Sequence, residues 1–350
     1  MRPPNSRLIM NIKAEVLQTF CTDIFMAAGA PREEAEIVVE NLVRTSLRGV
    51  DSHGVRATPR YVKAIQEGRI VPTAPIKVLK DTPTTAMWDV NRGFGFVAGR
   101  KAMETAMQKA DGYRIGAVGT CNPSLGDDHI GALYYYAELA ALHDKIGLVT
   151  CTCAPGMAAW GGKSKVIGVN PIAMAIPAAT HPPIVWDIAT SQVAVGHLSV
   201  MAMRGEPIPE GWILNKDGQP TTNPQDFFNS GMLLPFGTYK GYGLAVIIDA
   251  LTGALGSGCS FDNPRYGHLF LAIDPTGFTS LQEYKERVDR LIGYLKASET
   301  QPGVQEVFVP GEIEYRTMQQ RLKDGIPIDT PDWNALTQTA RALSIDIPIG

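Results

Sequence analysis

Hydrophobic residues recur every three or four positions through the first 70 residues of the chain, which predicts helices there. The segment "KAEVLQTFCTDIFMAAG" follows this spacing and stops at Gly29. The next segment, "PREEAEIVVENLVRTSLRG", starts with Pro31 and acidic residues and ends at Gly49, the usual order of helix start and stop signals. A third, shorter helix is predicted over "PRYVKAIQEGRI".

From about residue 76 the pattern changes to alternation with β-branched residues, and "IKVLKDTPTTAMWDV" predicts a hairpin. Strand and helix patterns then interleave along the chain. The predicted strands are "IGAVGT", "KIGLVTCTC", "NPIAMAIP" and "PIVWDIAT", and the predicted helices are "GRKAMETAMQKADGY", "GALYYYAELAALHD" and "YKGYGLAVIIDALTGALG". The tail returns to helix in "SLQEYKERVDRLIGYLKAS" and "DWNALTQTARALS". This interleaving indicates an α/β or α+β class.

Composition narrows the class of protein. The chain has 350 residues, 45% of them hydrophobic, enough for two packed domains or one large one. A net charge of −3 and a pI near 6.1 give no basic surface, so nucleic acid is not expected as a partner. No apolar run approaches the roughly 18 residues that span a bilayer, and the first residues lack the apolar core of a secretory leader. We therefore expect no membrane association.

The cysteines bear on the redox compartment. The five cysteines are an odd number, they are scattered, and they form no C-x-x-C pair. This pattern argues against a disulfide framework and against a structural zinc site. We expect reduced thiols in a cytoplasmic protein.

Two short segments concentrate reactive side chains. "RGVDSHGVRATPRYV" places Asp51, Ser52, His53 and Arg56 within six residues directly after a predicted helix. It could be a turn that ends the helix, or it could be part of an active site. "GDDHIGALYYYAELAA" places His129 just before another helix, where the helix N-terminus lowers the pKa of an imidazole toward the range of a general acid or base. A capping or loop histidine is the alternative.

Glycine-rich segments suggest where a nucleotide could bind. "DVNRGFGFVAGRKAME" has the spacing G-x-G-x-x-x-G, whereas the Rossmann fingerprint requires G-x-G-x-x-G and a later acidic residue. We therefore predict a tight turn into a helix at that segment. "WDIATSQVAVG" and "FGTYKGYGL" fit backbone amides and small side chains that approach a phosphate or a ribose, and "APGMAAWGGKSKVIGVNP" is a long structured loop of the kind that is often functional.

Taken in order, these segments resemble the malate/L-lactate dehydrogenase family of NAD(P)-dependent oxidoreductases. This family lacks the Rossmann fold and includes ureidoglycolate dehydrogenases, diketogulonate reductases and piperideine-carboxylate reductases. The resemblance covers about residues 11 to 345. Its landmarks are "DSHGV…P-x-Y" (51–61), "DHIG" (128–131), "WGG" with "G-x-NP" (160–171), "D-x-ATS" (187–191), "P-x-GW…DG-x-PTT" (209–222), "YKGYGL" (239–244) and "PGE-x-E" (310–314).

The resemblance implies a fold and an assembly. It implies an α/β protein with an unusual mixed sheet and with helical N- and C-terminal segments. Residues 1–75 would form a helical segment that carries the S-H-G turn and packs with residues 276–350. Residues 76–275 would form a mixed α/β region that binds cofactor and substrate. The family also implies a homodimer with its active sites near the interface.

The resemblance further implies the roles of individual residues. His129 is the usual acid/base candidate, His53 is the other catalytic histidine, and Ser52 faces the substrate. The cofactor would be NAD or NADP, with NAD favoured. Its contacts carry over to Asp187, Ile188, Ala189, Thr190, Ser191, Lys240, Gly241, Pro310, Gly311 and Glu312.

Three departures from the family pattern lie on the substrate side. The family often has an arginine where this chain has Ala57, so Arg56 or Arg60 would have to bind a substrate carboxylate. Arg56 follows Ser52 by four residues and would share its face if the turn were helical. Thr152 and Cys153 replace an asparagine–serine pair, which makes Cys153 a substrate-side candidate. The approach to His129, "CNPSLGDD", is longer than usual.

The expected reaction is hydride transfer between a nicotinamide cofactor and a small carboxylate substrate, a 2-hydroxy acid or its 2-oxo acid, malate- or lactate-like or bulkier. One alternative is a reductase of a cyclic imino acid, which acts on a C=N bond. A distant alternative is a metal-dependent hydrolase that uses His53, His129 and Asp187, although no motif with metal-ligand spacing supports it. A binding protein of the same fold would keep the cofactor segments and lose a histidine, whereas both histidines are present.

Overall fold

Helices occupy both ends of the chain, and strands and helices alternate between them. The structure is a computed structural model that describes residues 9–121, 129–256, 259–261 and 267–348. The helices are α1 (Ala14–Ala27), α2 (Arg32–Leu47), α3 (Thr58–Gln66), α4 (Gly95–Tyr113), α5 (Tyr134–Leu142), α6 (Val195–Arg204), α7 (Gln225–Phe228), α8 (Tyr239–Ile248), α9 (Ala254–Gly256), α10 (Leu281–Lys296), α11 (Glu312–Asp324) and α12 (Thr330–Ala342). The strands are β1 (Ile9–Ile12), β2 (Lys77–Asp81), β3 (Thr85–Asp89), β4 (Ile115–Cys121), β5 (Ile146–Cys151), β6 (Met157–Ala158), β7 (Lys165–Ile167), β8 (Ile172–Ile176), β9 (Ile184–Ile188), β10 (Ile213–Leu214), β11 (Pro220–Thr221), β12 (Met232–Leu233), β13 (Gly267–Ile273) and β14 (Ile326–Asp329).

The two ends of the chain share one hydrophobic core. Phe25 and Leu42 of the N-terminal helices are buried in the same cluster as Ile328 and Leu336 near the C-terminus. β1 pairs antiparallel with β14, which adds backbone hydrogen bonds between the ends. α2 also packs against α11, and α3 against α12. The domain boundaries at residues 75 and 275 stay a prediction.

A mixed sheet forms the centre of the molecule. Its strand order is β2-β3-β4-β13-β5-β8-β9, in which β3 and β4 are parallel and all other neighbours are antiparallel. α4 and α5 pack on it with a second core that buries Met103, Tyr136 and Phe270. A smaller sheet of short strands, with the order β11-β10-β12-β6-β7, lies beside the region of α6 and α8. The expected α/β class with a mixed sheet is confirmed.

The structure departs from the sequence prediction at two elements. The predicted helix over residues 239–256 is interrupted, because a wider helical turn at Asp249–Gly253 separates α8 from α9. At this turn the Asp249 carboxylate accepts hydrogen bonds from the backbone N–H and the hydroxyl of Ser260. The sequence analysis also placed no strand at β13, which is the central strand of the large sheet.

The glycines of "RGFGFVAG" form a tight turn into a helix, as predicted. α4 begins at Gly95, and a side chain at Gly99 would lie 3.0 Å from the ring of Tyr136 on α5. Glycine therefore allows these two helices to approach closely. None of the five cysteines, all of which lie in the described residues, forms a disulfide. Across the described ranges, every helix is too short or too polar to cross a membrane.

Candidate active site

The S-H-G segment forms a compact turn directly after α2. Two short 3₁₀ turns, Asp51–His53 and Val55–Ala57, are separated by Gly54, whose backbone is extended. A side-chain carbon at Gly54 would lie 2.0 Å from the hydroxyl oxygen of Ser46, so only glycine fits there. The same Ser46 hydroxyl accepts the backbone N–H of Val55 at 3.0 Å. Helix α2 therefore fixes the shape of this turn.

Two C-terminal helices anchor the same turn from outside. Arg321 of α11 binds both carboxylate oxygens of Asp51, at 2.6 and 3.0 Å, and donates to the backbone carbonyl of Ser46 at 2.5 Å. Arg56 forms an ion pair with Asp332 of α12 at 3.6 Å. Arg321 was not predicted as part of the site, because no local motif around it indicates this role.

The structure brings His53 and His129 together. Their rings are stacked with centroids 5.5 Å apart, and Nδ1 of His53 lies 2.9 Å from the Ser52 hydroxyl. Nδ1 of His129 lies 2.6 Å from the hydroxyl of Tyr61 and accepts the backbone N–H of Gly131 at 3.2 Å. Tyr61 belongs to the matched "P-x-Y" motif, but its contact with His129 could not be predicted. The described part of the "CNPSLGDD" approach is Cys121 alone, since residues 122–128 lie outside the described residues.

Both histidines are held neutral at neutral pH. Burial lowers the pKa of His129 well below its ordinary 6.5, and the positive charge of Arg60 lowers it further. Burial also lowers the pKa of His53, and Arg60 adds to that shift. A neutral imidazole can accept a proton on one nitrogen and donate one from the other, which is the property that acid/base catalysis requires.

The two candidate arginines occupy different surroundings. Because the extended Gly54 breaks the turn, the helical spacing between Ser52 and Arg56 that the sequence suggested does not hold. Arg56 is directed to Asp332 instead. The guanidinium of Arg60 lies 5.4 Å from the centre of the Tyr61 ring and acts electrostatically on both histidines. Arg60 is therefore the arginine that lies beside the histidine pair.

Cys153 lies beside the large sheet. Its backbone N–H donates to the side-chain oxygen of Asn170 at 2.9 Å, and its side chain packs against the core under α4 and α5. Among the described residues, no hydrogen bond or ring contact joins Cys153 to either histidine. Its role on the substrate side stays a prediction.

Two of the three candidate cofactor segments meet after β9. Ile188 ends this strand, Ala189 follows it, and the backbone and hydroxyl of Thr190 both donate to the carbonyl of Val169. The carbonyl of Thr190 accepts the backbone N–H of Phe236, and a side-chain carbon at Gly241 would lie 2.7 Å from that carbonyl oxygen. The "ATS" and "YKG" segments are thus in direct backbone contact. Ser191 is buried and bonds its hydroxyl to the carbonyl of Val193 at 2.8 Å.

The start of α8 suits a phosphate group. Thr238 precedes the helix with φ 60° and ψ −114°, a conformation that residues other than glycine rarely adopt. Lys240 is exposed in the first turn of this helix. A lysine and the N–H groups of a helix N-terminus together favour an anion. The residues present therefore fit the phosphate part of a dinucleotide.

The third segment, residues 310–312, packs on the outer face of β9. The carbonyl of Pro310 accepts the backbone N–H of Val185. Gly311 has φ +85°, and a side chain there would lie 2.7 Å from the Val185 carbonyl, so glycine is required on both counts. Glu312 binds Lys296 at 2.7 Å and Arg316 at 2.5 Å. This segment therefore meets the same strand as Asp187, and Glu312 is engaged in ion pairs with its own neighbourhood.

Asp187 connects β9 with α5. Its carboxylate accepts the backbone N–H of Tyr134, the first residue of α5, at 2.8 Å. Burial raises its pKa to about 6, while the backbone N–H groups of Tyr134 and Leu133 and the charge of Arg48 oppose that rise. A buried carboxylate that costs stability when ionised is typical of functional sites.

Replacement of Asp187 by asparagine is expected to stabilise the fold at alkaline pH. The pKa of Asp187 in the folded protein, about 6, exceeds the ordinary 3.8. Its contribution to the free energy of unfolding is therefore fully present below about pH 4 and is lost as the pH rises through about 6. Asparagine does not ionise, so Asp187→Asn should raise the free energy of unfolding at pH 8 by at most about 3 kcal/mol. Urea titrations at pH 8 and near pH 4 measure the difference, which should vanish at the lower pH.

Asp289→Asn is the control of opposite sign. Burial opposes ionisation of Asp289, but hydrogen bonds from Thr180, His181 and Ala179 outweigh it and hold the pKa of this carboxyl below its ordinary range. That group stabilises the fold above its ordinary pKa, so its replacement should lower stability at pH 8. If Asp187→Asn also lowered stability at pH 8, the raised pKa would be contradicted.

The described chain gathers no set of three histidine, cysteine or carboxylate side chains that could hold a metal ion.

Residues 12–337 match the sequence profile of malate/L-lactate dehydrogenases. The chain is 37% identical to a malate dehydrogenase from Pyrococcus abyssi, over 96% of each chain. It is 38% identical to an L-sulfolactate dehydrogenase from Methanocaldococcus jannaschii, over 97% of this chain and 98% of the relative.

The fold agrees with these sequence relatives. The crystal structure of malate dehydrogenase from Entamoeba histolytica superposes with a TM-score of 0.91 at 28% identity, covering 98% of this chain and 100% of that one. The profile and the relatives extend over nearly the whole sequence, including the histidine turn, the β9 segment and the start of α8. The chain belongs to the malate/L-lactate dehydrogenase family.

Proposed function

We propose that this protein is a nicotinamide-dependent dehydrogenase that interconverts a 2-hydroxy acid and its 2-oxo acid. The observation that carries the proposal is the histidine pair with Arg60 beside it. His129 is neutral at neutral pH and is hydrogen-bonded to Tyr61, and it is stacked on His53. A reaction at the carbon next to a carboxylate requires a group that carries a proton and a cation that binds the carboxylate. The histidine pair and Arg60 provide these two groups side by side.

The residues of this chain then have distinct tasks. His129 moves the proton on the substrate's C2 oxygen, and Ser52 and His53 line the same turn. Arg60 binds the substrate carboxylate through charge-assisted hydrogen bonds. Arg56 holds the turn to α12 through Asp332 rather than binding the substrate.

A nicotinamide dinucleotide would be held where the segments after β9 meet the start of α8. Lys240 and the N-terminus of α8 would bind its phosphates, and Gly241 lets the start of α8 lie directly against the carbonyls of Thr190 and Phe236. Asp187 to Ser191 and Pro310 to Glu312 would complete the site. The cofactor supplies the hydride in the reduction, and NAD is proposed ahead of NADP.

We propose 2-hydroxy acids with a second acidic group as the first substrates to test. The relatives with high identity are named for malate and L-sulfolactate, each of which carries a second anionic group beside the 2-hydroxy acid. Of the two candidate arginines, Arg60 lies beside the histidines, and Arg56 is paired with Asp332. A substrate with one carboxylate and a larger side chain is therefore the next to test.

A reductase screen tests the proposed function. Purified protein is mixed with NADH or NADPH and with oxaloacetate, sulfopyruvate, pyruvate, phenylpyruvate or a cyclic imine, and absorbance at the nicotinamide band is followed. We expect oxidation of the cofactor with at least one 2-oxo acid. Oxidation with the cyclic imine alone would replace the proposal by reduction of a C=N bond. No oxidation with any compound, or activity that a chelator abolishes, would contradict it.

We also propose a homodimer in the cytoplasm. An exposed apolar face runs along α8 and α9 at helical spacing, with the side chains of Tyr239, Val246, Ile247, Leu251 and Leu255. A second copy of the chain that covers this face would explain why apolar side chains are exposed there. The face begins beside the proposed cofactor site. Light scattering in solution should give twice the mass of the chain. The cysteines, none of them in a disulfide, support a reducing compartment.

A further inference from the structure

The hydrogen bonds around His129 determine which of its ring nitrogens carries the proton. A backbone N–H can only donate, so the bond from Gly131 at 3.2 Å requires a lone pair on Nδ1. The Tyr61 hydroxyl, 2.6 Å from the same nitrogen, then donates as well. The proton of the neutral ring must therefore be on Nε2. Among the described residues, Nε2 has no hydrogen-bond partner, and His129 as a whole residue is partly buried.

This arrangement raises a problem for catalysis in the reducing direction. A substrate oxygen that takes the proton from Nε2 would leave a negatively charged ring, because Nδ1 carries no proton. The charged imidazolium, the usual donor, is disfavoured at neutral pH by burial and by the nearby positive charge of Arg60. A second donor must therefore reach Nδ1 as the first proton leaves. The side chain in place to do so is Tyr61.

We propose that Tyr61 is a positioning residue that completes a two-proton relay through His129. The Tyr61 hydroxyl passes its proton to Nδ1 while the proton on Nε2 passes to the C2 oxygen of the substrate. This inference rests on the proposed function, because it supplies the proton for reduction of a 2-oxo acid. It adds a residue that the family resemblance did not assign.

The relay balances in atoms and charge. The Tyr61 O–H and His129 Nε2–H bonds break, and an Nδ1–H bond and the O–H bond of the 2-hydroxy acid form. The substrate's C2 is reduced by the hydride that a reduced nicotinamide provides, and the imidazole is neutral before and after. The site resets after the product leaves, when Nε2 takes a proton from solvent and Nδ1 returns its proton to the Tyr61 phenolate. In the oxidising direction every transfer runs in reverse.

The surroundings of Tyr61 favour this role. Its side chain is 1% exposed, so few waters compete for the hydroxyl. The Arg60 guanidinium lies 5.4 Å from the ring centre, where its charge stabilises a phenolate. Phe96 holds the tyrosine ring edge-on at 5.1 Å and also contacts the His129 ring. The tyrosine ring is thus fixed by packing, independently of its hydroxyl.

The matched variants are Tyr61→Phe and Tyr136→Phe. The first keeps the packing against Phe96 and removes only the hydroxyl that contacts His129. The second removes another buried hydroxyl, which donates to the carbonyl of Ile130 next to His129 but does not touch the imidazole. A general loss of stability would affect both variants, whereas loss of the relay affects only the first.

Nitrogen-15 NMR of the histidine rings tests the ground state in the cofactor-free protein. We expect His129 to carry its proton on Nε2 in the native protein and in Tyr136→Phe. In Tyr61→Phe the backbone N–H of Gly131 still donates to Nδ1, so the proton should stay on Nε2 and only the Nδ1 signal should shift, because it loses the hydrogen bond from Tyr61. A proton on Nδ1 in the native protein would overturn the proposal, whether or not the protein is a dehydrogenase.

Single-turnover reduction in mixtures of H₂O and D₂O tests the transfer itself. Two protons in motion make the rate a curved function of deuterium content, and one proton makes it a straight line. We expect a curve for the native protein and for Tyr136→Phe. For Tyr61→Phe we expect a line and a rate lower by more than about tenfold, because the ring loses a hydrogen bond, which alone contributes about tenfold, and also the proton donor to Nδ1.

The two hypotheses fail in different ways. A native protein that reduces a 2-oxo acid with a linear dependence, or a Tyr61→Phe variant that keeps the native rate and curvature, would overturn the relay alone. A native protein that reduces no 2-oxo acid or imine would overturn the proposed function, and the NMR experiment would still decide the assignment of the His129 proton.

Discussion

His129→Ala is expected to lower the turnover number by about 10²- to 10⁴-fold, the usual contribution of a well-placed acid/base group. The reason is that His129 is the histidine whose two ring nitrogens have distinct tasks, one toward Tyr61 and Gly131 and the other toward the substrate. Affinity for the nicotinamide cofactor should change little, because the proposed cofactor segments lie after β9 and at α8. Steady-state kinetics and fluorescence titration of the cofactor measure the two effects.

Two other histidine variants serve as references. His143 is exposed at the end of α5, and its imidazole bonds to the carbonyl of Leu139, away from the histidine pair, so His143→Ala should leave turnover unchanged. His53→Ala should lower turnover less than His129→Ala, because the hydroxyl on Nδ1 of His53 is that of Ser52, a weaker acid than the Tyr61 phenol on Nδ1 of His129. Near-native turnover in His129→Ala, together with a large loss in His53→Ala, would assign the proton to His53 instead.

Arg60→Ala is expected to raise the KM for an acidic substrate by about 10- to 150-fold. This range corresponds to the roughly 1.5–3 kcal/mol of a hydrogen bond to a charged group. Arg60 lies beside the histidine pair, and its charge is felt by both imidazoles. The pKa of His53 should also rise toward its ordinary value when that charge is removed, and NMR titration can follow this change.

Arg56→Ala is the matched control for Arg60→Ala. It removes the same type of charge four residues earlier, but the partner that it loses is Asp332 of α12. We expect a small loss of stability and a nearly unchanged KM, because exposed ion pairs contribute little. A large rise in KM for Arg56→Ala with none for Arg60→Ala would place the carboxylate at Arg56. If neither variant changes KM, the substrate is not held by an arginine of this segment.

The parts of the fold that follow from local patterns could be predicted from the sequence. α1 and α2 have clear helical periodicity with proline and glycine at their ends, and both form where the pattern indicates. β13 was missed, because its role depends on pairing with strands far away in sequence. Phe270 of this strand faces Val118 on one side and Val149 on the other, and nothing near residue 270 indicates that it occupies the centre of the sheet.

The candidate site shows the same limit. The motifs identify His53 and His129 as reactive residues, but stacking of their rings and the bond from Tyr61 depend on the tertiary fold. The four-residue spacing from Ser52 favoured Arg56, and the extended Gly54 removed the helix on which that argument relied. Spacing along a chain predicts which side chains share a face only within one regular element.

The ion pair between Asp51 and Arg321 has a consequence for synthesis of the chain. These residues are 270 positions apart, so the histidine turn leaves the ribosome long before the helix that anchors it. The hydrophobic core of the N-terminal helices is also complete only after β14 and α12 have been synthesised. Contacts of such long range are expected to form late and to leave apolar surface exposed until translation ends. The histidine turn is therefore expected to assemble in one of the last folding steps. Chaperones that shield the nascent N-terminal helices should raise the yield of active protein.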